Sequence, residues 1–591
     1  MRLACRARPK GASGGPASLD LFCPPEASAV MKPKTSLIGG QIDDVVTACR
    51  DGWRVLKHRG PSKLQFWFIA LVVGIAAGYA ALFFRKGIIW LQSTLYGAED
   101  IKAIHSLAET LPWYVVLVIP ILGGLVVGFI FHWFTPDGRV RSVADVIEGA
   151  ALQNGRVEVK AGLASAAASL MTLSSGGSTG REGPVVHLAG VISTKISIWL
   201  KADGITGRDL LGCAVAAAVS ASFNAPIAGT IFALEVVLRH FAVHAFAPIA
   251  IAAAAGTVIN RLEFGDVTEF SLNQQGSLQF YVELPAFLIL GLVCGLVAVA
   301  LMKAIFITDD LASGWQERFG IHRVLRPAIA GALLGASAIL YPHIIGVGYE
   351  TTSRALTGSM VLHEVIVFTI IKTIAVAVTM AGRMGGGVFS PSLMVGAMTG
   401  LAFGLIATGL LPDVSGSETL YALAGMGAVA AAVLGAPIST TLIVFELTGD
   451  WQTGLAVMVS VSTSTALASR MVDRSFFLTQ LEKRGVHLAA GPQAYLLSMF
   501  RVKNVMRVSG DPLGPDEETT WKAIETGAII GPDATLEDAL PVFETSGRTF
   551  LAVAEMGKAG EAPKIHGALF YVDALKAYNR ALAATAAEEH S

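Results

Sequence analysis

Between residues 64 and 469 long apolar runs alternate with short polar breaks, and the runs are too long and too free of charge to be the core strands or helices of a soluble domain. A helix that crosses a bilayer needs roughly 20 apolar residues. Runs of about that length and simple shape cover residues 64–84, 111–136, 210–234, 284–302, 327–349 and 451–469, and each predicts a membrane span. Four others, at 183–192, 241–260, 384–412 and 419–445, are short or interrupted by Gly and Pro, and these predict broken helices. At membrane depth a broken helix survives only where protein or a water-filled cavity covers the freed backbone groups. The pattern therefore points to an internal ligand site.

Composition supports a polytopic membrane protein: 53% of residues are hydrophobic and 15% charged, against about 25% charged in soluble domains. Near-neutral charge, 44 Lys+Arg against 45 Asp+Glu, excludes a general nucleic-acid binder. The five cysteines show neither CxxC pairing nor metal-ligand spacing, so no disulfide or metal organises the fold. The N-terminal segment 1–63 is basic (Arg2, Arg6, Arg8, Lys10, then Arg54, Lys57, Arg59, Lys63) and has no apolar stretch of its own, which argues for a partly disordered segment and against a cleavable signal. Met31 is an alternative start to Met1. Arg470, Arg474, Lys483 and Arg484 follow the last run, so the positive-inside rule places both termini in the cytoplasm of a multi-pass protein of the inner membrane. From 471 to 591 the composition is that of a soluble tail. Pro532-Asp-Ala-Thr-Leu-Glu-Asp-Ala539, apolar runs at 550–554 and 565–571, and Val502-Lys-Asn-Val-Met506 together resemble one divergent CBS motif over about 502–580, a small α+β module that binds adenine nucleotides when paired. A small folded tail without a nucleotide is the other reading.

An internal repeat locates the site. Gly180-Arg-Glu-Gly-Pro184 is matched by Gly387-Val-Phe-Ser-Pro391, 207 residues later. Asn224-Ala-Pro-Ile227 is followed by Glu235, nine residues after its proline, and Gly435-Ala-Pro-Ile438 by Glu446 at the same spacing. The halves, about 64–260 and 284–469, share one plan, as in membrane transporters whose sites lie where two repeats meet. Proline is favoured in the first turn of a helix, and the preceding glycines let backbone approach a ligand, so each Gly-rich run marks a helix N-terminus. Free N–H groups and the helix dipole make such an end an anion site. Two of them meeting near the midplane can hold a small anion without any basic side chain. Glu182, inside the first turn, is a carboxylate in an apolar membrane segment and so a functional candidate: ionised, it competes for the anion's place, and protonated, it gives that place up. A structural ion pair with Arg181 is the plainer alternative, disfavoured because adjacent residues on a turn point apart. Glu235 and Glu446 read as helix-packing residues.

Gly177-Ser-Thr-Gly-Arg-Glu-Gly-Pro184, Gly387-Val-Phe-Ser-Pro391 and the Asn-Ala-Pro and Gly-Ala-Pro helix starts resemble the CLC family of voltage-gated chloride channels and chloride/proton antiporters. The resemblance covers about 65–470. It implies an all-α polytopic fold of two inverted-topology repeats of tilted and broken helices over 64–470, a homodimer with one pore per subunit, and Glu182 as the gating residue. It also implies that backbone N–H groups at Arg181, Glu182 and Gly183, and at Val388, Phe389 and Ser390, line the anion sites. Chloride is then the substrate, with protons as a possible second one, and no resident cofactor is expected.

Three departures from the family pattern bear on mechanism. Where a Gly- and Pro-containing first motif is usual, this chain has Arg139-Val-Arg-Ser-Val-Ala-Asp-Val-Ile-Glu148, and either Arg141 or Ser142 takes the anion-facing position. The place of the family's central-site tyrosine falls on Trp451, which is either an anion ligand through its indole N–H or an aromatic at the membrane interface. The second glutamate of many antiporters is replaced by Val236, which carries no proton and leans the expectation toward passive, gated conductance over exchange. Gly176-Gly-Ser-Thr-Gly180 also fits the G-x-S-x-G elbow of hydrolases, but that motif needs a preceding strand, and 161–173 reads as a membrane helix. The expectation is a transport protein, not an enzyme.

Overall fold

A computed structural model describes residues 63–97, 104–202, 204–241, 243–265, 270, 280–412, 415–486, 488, 497, 500–555 and 563–590. The expected N-terminal segment, apart from Lys63, lies outside the described residues, as do its basic cluster and both candidate starts. The first half runs through α1 (Lys63–Tyr96), α2 (Ile104–Ala108), α3 (Trp113–Phe134), α4 (Val143–Leu152), α5 (Val159–Ser174), α6 (Glu182–Leu200), α7 (Gly204–Phe223), α8 (Pro226–Phe232) and α9 (Val243–Phe264). The second half runs through α10 (Phe280–Arg318), α11 (Leu325–Leu340), α12 (Tyr349–Leu356), α13 (Leu362–Ala381), α14 (Phe389–Leu410), α15 (Glu418–Leu434), α16 (Pro437–Thr448), α17 (Trp451–Met471) and α18 (Phe476–Glu482). Among the described residues eight helices, α1, α3, α6, α9, α10, α13, α14 and α17, are long and apolar enough to cross a membrane.

Several boundaries differ from the pattern-based expectation. Run 210–234 is not one span: α7 ends at Asn224, which takes φ 57°, and α8 begins at Pro226 and passes into a π-helical turn at Ala233–Leu238. Run 327–349 likewise holds α11, a 3₁₀ turn at Pro342–Ile344 and the start of α12. Conversely, 241–260 and 384–412 contain the continuous helices α9 and α14. Pro391 falls in the first turn of α14, where it costs no hydrogen bond. α13 escapes the search for clean runs because Lys372, fully buried, sits in its middle.

At the centre lie α7 and α15, apolar all round and almost entirely buried, as helices without an amphipathic face must be. α15 approaches α14 so closely that a Cβ on Gly400 would lie 2.1 Å from the Tyr421 carbonyl oxygen, the small-residue packing typical of membrane helices. The two halves then lock through one reciprocal device. Ala225 and Ala436, at the N-caps of α8 and α16, have no side chain to satisfy the first N–H groups, and the opposite repeat supplies it. Glu446 accepts from Ile227 N and Ala228 N at 3.0 and 2.7 Å. Glu235 accepts from Ile438 N and Ser439 N at 2.9 and 2.8 Å, and from the Ser439 hydroxyl at 2.7 Å. Each carboxylate thus meets the positive end of the other repeat's helix, which assigns both glutamates to packing.

The tail folds as an α+β unit: α19 (Val502–Val505), β1 (Arg507–Val508), α20 (Glu517–Glu525), β2 (Ile529–Ile530), α21 (Leu536–Ser546), β3 (Phe550–Glu555), β4 (Lys564–Phe570) and α22 (Tyr571–His590). Its sheet has the order β1-β4-β3-β2, with only the β2–β3 pair parallel. Leu551, Val553, Leu569, Leu536 and Val502 form a separate small core. On its surface the Lys503 ammonium, 2.7 Å from Asp533, holds that carboxyl below the usual carboxylate range.

If the crossed glutamates hold the repeats together, Glu235→Ala and Glu446→Ala should each destabilise the protein by about 1–2 kcal/mol, the usual worth of a lost N-terminal cap, and by similar amounts. The check is the apparent melting temperature of each purified variant in detergent. A fall for one and none for the other would break the symmetry argument.

Candidate functional site

The site is built from two loops, one per repeat. Residues 175–181 join α5 to α6 and residues 382–388 join α13 to α14. Gly180 N donates to Gly387 O at 2.7 Å and Gly387 N to Gly180 O at 2.8 Å, an antiparallel pair that ties the loops together at the start of both helices. Thr179 Oγ1 donates to Gly387 O at 3.0 Å, Ser178 N donates to Thr379 Oγ1 at 3.1 Å, and the Thr172 hydroxyl donates to Met384 O. Gly386 takes φ 122°, and a Cβ there would lie 2.0 Å from Thr179 Oγ1, so only glycine fits between the loops.

The pairing sets two helix N-termini head to head. Arg181 is the N-cap of α6 and Val388 that of α14, and neither side chain caps the helix it begins. The first-turn N–H groups and two positive dipole ends therefore converge on one buried spot. Glu182, only 1% exposed, fills it: Ser390 Oγ donates to Glu182 Oε1 at 2.5 Å, and the amides of Glu182 and Ser390 face the same carboxylate. Arg181 is also buried. Its Nη2 donates to Ser222 O at 2.9 Å, its guanidinium stands 5.3 Å over the Tyr349 ring, and its Nε lies 3.8 Å from Glu182 Oε1. The expected divergence of these neighbours is thus corrected, because Glu182 at the first helical position folds back toward the N-terminus and so toward Arg181. The short contact is nevertheless to Ser390. Gly183, Val388, Phe389 and Ser390 are all buried at this junction. The Phe389 ring packs at 4.8 Å from that of Phe223 and 5.7 Å from that of Phe232. Both partners were missed in the sequence, although they flank the Asn224-Ala-Pro226 break.

Other expected residues fall elsewhere. Trp451 is 68% exposed at the start of α17, stacked edge-on against Phe445 at 6.1 Å, and not at the carboxylate. Asp450 is the cause: it caps α17, accepting from Thr453 N at 2.8 Å, and turns the following residue outward. The interfacial reading is the one its position fits. Phe476 and Phe477, in the next helix, are buried. Ser142, buried, is the N-cap of α4 and donates its N–H to Asp145 Oδ2 at 2.7 Å, so the helix start at the inner motif belongs to Ser142. Arg141 is not a free positive charge. Its guanidinium bonds Asp137 at 2.9 Å and Glu158 at 2.8 and 2.9 Å, and lies 3.8 Å from Asp145. Burial would raise the Asp137 carboxyl, yet hydrogen bonds from Arg141 and the Arg139 amide hold it below its usual range. These groups, with Glu148 and Arg484, wall a cavity of about 180 Å³ that the buried His187 also lines. Val236 is buried in the π-helical turn. Ser178 follows the helix α5, where the hydrolase elbow requires a strand.

A duplicated, polytopic helical fold with opposed helix starts around a buried acid defines a multi-pass membrane protein whose two repeats meet at one internal junction. The family model "Voltage gated chloride channel" matches residues 123–469, and the chain belongs to that family. A putative chloride channel protein ClcB-like from Ralstonia nicotianae is 30% identical over 404 residues, covering 68% of this chain and 92% of that one. The voltage-gated ClC-type chloride channel ClcB of Escherichia coli is 29% identical over 395 residues, covering 65% and 91%. In fold the chain is similar to a solved slow cyanobacterial Cl⁻/H⁺ antiporter, with TM-score 0.63 and 19% identity over 72% of this chain and 98% of that one. Family members are transport proteins and not enzymes.

Ser390→Ala removes the side-chain bond to Glu182. A hydrogen bond to a charged group contributes about 1.5–3 kcal/mol, so anions should displace the carboxylate at roughly ten- to a hundredfold lower concentration. Trp451→Ala should leave anion binding unchanged. Isothermal titration of both variants with chloride decides this, and a loss of binding on Trp451→Ala would return the indole to the site.

Proposed function

We infer that the protein passes chloride across the membrane between the opposed starts of α6 and α14, and that Glu182 is the gate. The observation that carries this is the placement of the Glu182 carboxylate on Ser390, at the very position where two sets of first-turn amides would hold an anion. Ionised, the carboxylate satisfies those amides and excludes chloride. Protonated, it loses its attraction for the dipole ends and leaves them to the ion. Partial charges from helix ends bind an ion without trapping it, as conduction requires.

Backbone amides at Arg181, Glu182, Gly183, Val388, Phe389 and Ser390 form the site in this scheme. Ser142 at the start of α4 marks its inner approach, and Arg141 serves the ion-pair network beside it. Gated conductance is the reading favoured by Val236, which offers no inner carboxylate. Exchange of chloride for protons is the second reading, favoured by the buried, protonatable Glu182 itself. The protein would act as a homodimer in the inner membrane with both termini cytoplasmic, with the lipid bilayer as its surroundings, and we assign the tail a supporting role without a nucleotide.

Glu182→Gln should behave as the protonated gate at every pH. In wild type the open fraction should rise as pH falls, by up to about tenfold per pH unit while the gate is mostly ionised and levelling off once it is mostly protonated, because protonation opens it. In the variant it should stay high and flat. Chloride efflux from liposomes across a pH series measures this, and a full pH response retained in Glu182→Gln would remove Glu182 from its role.

A further inference from the structure

His187 is 1% exposed, and neither Nδ1 nor Nε2 has a hydrogen-bond partner. A buried imidazole with both nitrogens unmet is costly, and this one has an unusual setting. It lines the 180 Å³ cavity whose wall carries Asp137, Asp145, Glu148 and Glu158 against Arg139, Arg141 and Arg484. The charges that act on it are those of Asp145 on α4 and of Arg141 and Glu158 on the turns flanking α4 and α5. It lies on α6 five residues beyond Glu182, about 7.5 Å along the axis at the usual helical rise.

Two hydroxyls lie along α5 between the cavity and the loop pair beside Glu182. On α5 the residues Gly162, Ser165 and Ser169 share a face, three and four positions apart. The imidazole lies against the bare backbone of Gly162, where a Cβ would come within 2.4 Å of Cε1 and 2.7 Å of Nδ1. Ser165 Oγ, one turn on, accepts from Arg141 N at 2.8 Å, and Ser169 Oγ donates to Ser165 O at 2.7 Å. Ser169 in turn touches Gly385, two residues before the Gly387 that pairs with Gly180 beside Glu182. Both hydroxyls are buried. Two long helices, α1 and α3, separate Lys63 from Asp137, so the cavity lies on the side of the membrane where α1 begins, which the charge distribution makes cytoplasmic.

We propose that His187 is the inner proton carrier for Glu182, passing protons between the acid-walled cavity and the gate by way of the Ser165 and Ser169 hydroxyls. This rests on the assignment of Glu182 as gate and on the exchange reading. An oxygen-bound proton from the cavity, from hydronium or the Glu148 carboxyl, forms an N–H bond on one ring nitrogen as its O–H bond breaks. The imidazolium gives up the proton on its other nitrogen, through the serine hydroxyls and intervening water, and an O–H bond forms on the Glu182 carboxylate. No oxidant or further reactant is needed, and the sequence runs equally in reverse. An imidazole on α6 would then do what Val236 does not.

The test uses the full-length protein in liposomes, with a chloride gradient driving and both external chloride and external pH recorded, for wild type, His187→Gln, His187→Leu and Glu182→Gln. Expected are proton movement with chloride in wild type, and in both His187 variants a loss of proton movement of roughly a hundredfold, the scale of a positioned acid–base group, while chloride passage persists. Wild-type proton movement in either His187 variant overturns the inference. So does loss of chloride passage along with proton movement in both variants, since the histidine would then belong to the anion path or the fold. Chloride passage in wild type with no proton movement also overturns it while leaving Glu182 as a gate. The assignment of Glu182 fails separately, if Glu182→Gln keeps the wild-type pH response.

Discussion

Two helix N-termini that face one another inside a membrane repel, and the rest of the molecule is organised around that repulsion. Each end carries about half a positive charge, and with little water to screen them the pair needs a negative partner between. The Gly180–Gly387 backbone pairing forces the approach, and Gly386, in a conformation and a space closed to other residues, permits it. Once the ends are fixed, the spot between α6 and α14 favours a negative charge, and the Glu182 carboxylate holds it. In the proposed function, gating is then a competition between a tethered and a free negative charge for one set of donors.

The same physics appears twice in the fold with opposite outcomes. α8 and α16 also begin with a proline after a cap that has no usable side chain, and their N–H groups are met by Glu446 and Glu235 from across the repeat boundary. Those carboxylates each receive two backbone N–H bonds and have no reason to leave. Glu182 receives one side-chain bond and sits at the first residue of its own helix, so a swing of its side chain frees the site without moving the backbone. Permanent caps hold the repeats in register, and in the proposed function the displaceable one lies on the path.

The parts legible in the sequence are those where backbone chemistry dictates residue type. Gly-rich runs ending in proline, and two Ala-Pro starts each followed by a glutamate nine residues after the proline, left few alternatives for the helix starts or for the twofold plan. What stayed hidden depended on contacts between distant segments. Nothing near Arg141 in the alignment with the usual motif shows that Asp137, Asp145 and Glu158 neutralise it. Trp451 matched by order along the chain, but Asp450 begins a new helix before it and turns it outward. Run 210–234 looked continuous because a break made by one Asn in a left-handed conformation and one Pro removes little hydrophobicity. Phe223 and Phe232 read as ordinary span residues until the fold placed both against Phe389.

The neutralised Arg141 also explains how a site without a basic ligand can still let an ion go. The inner cavity balances four carboxylates against three arginines, so it presents no deep positive well on the way to α4. In the proposed scheme an anion there would meet the amides at the start of α4, near Ser142, whose N–H is already engaged by Asp145. That scheme would give weak binding at the inner end and stronger binding where α6 and α14 converge. A gradient of this kind favours passage: the tightest position is the one Glu182 can reclaim, and an ion displaced from it meets no charge strong enough to retain it. A free guanidinium at 141 would invert the order, with the ion resting beside the arginine and the carboxylate competing for a place already empty.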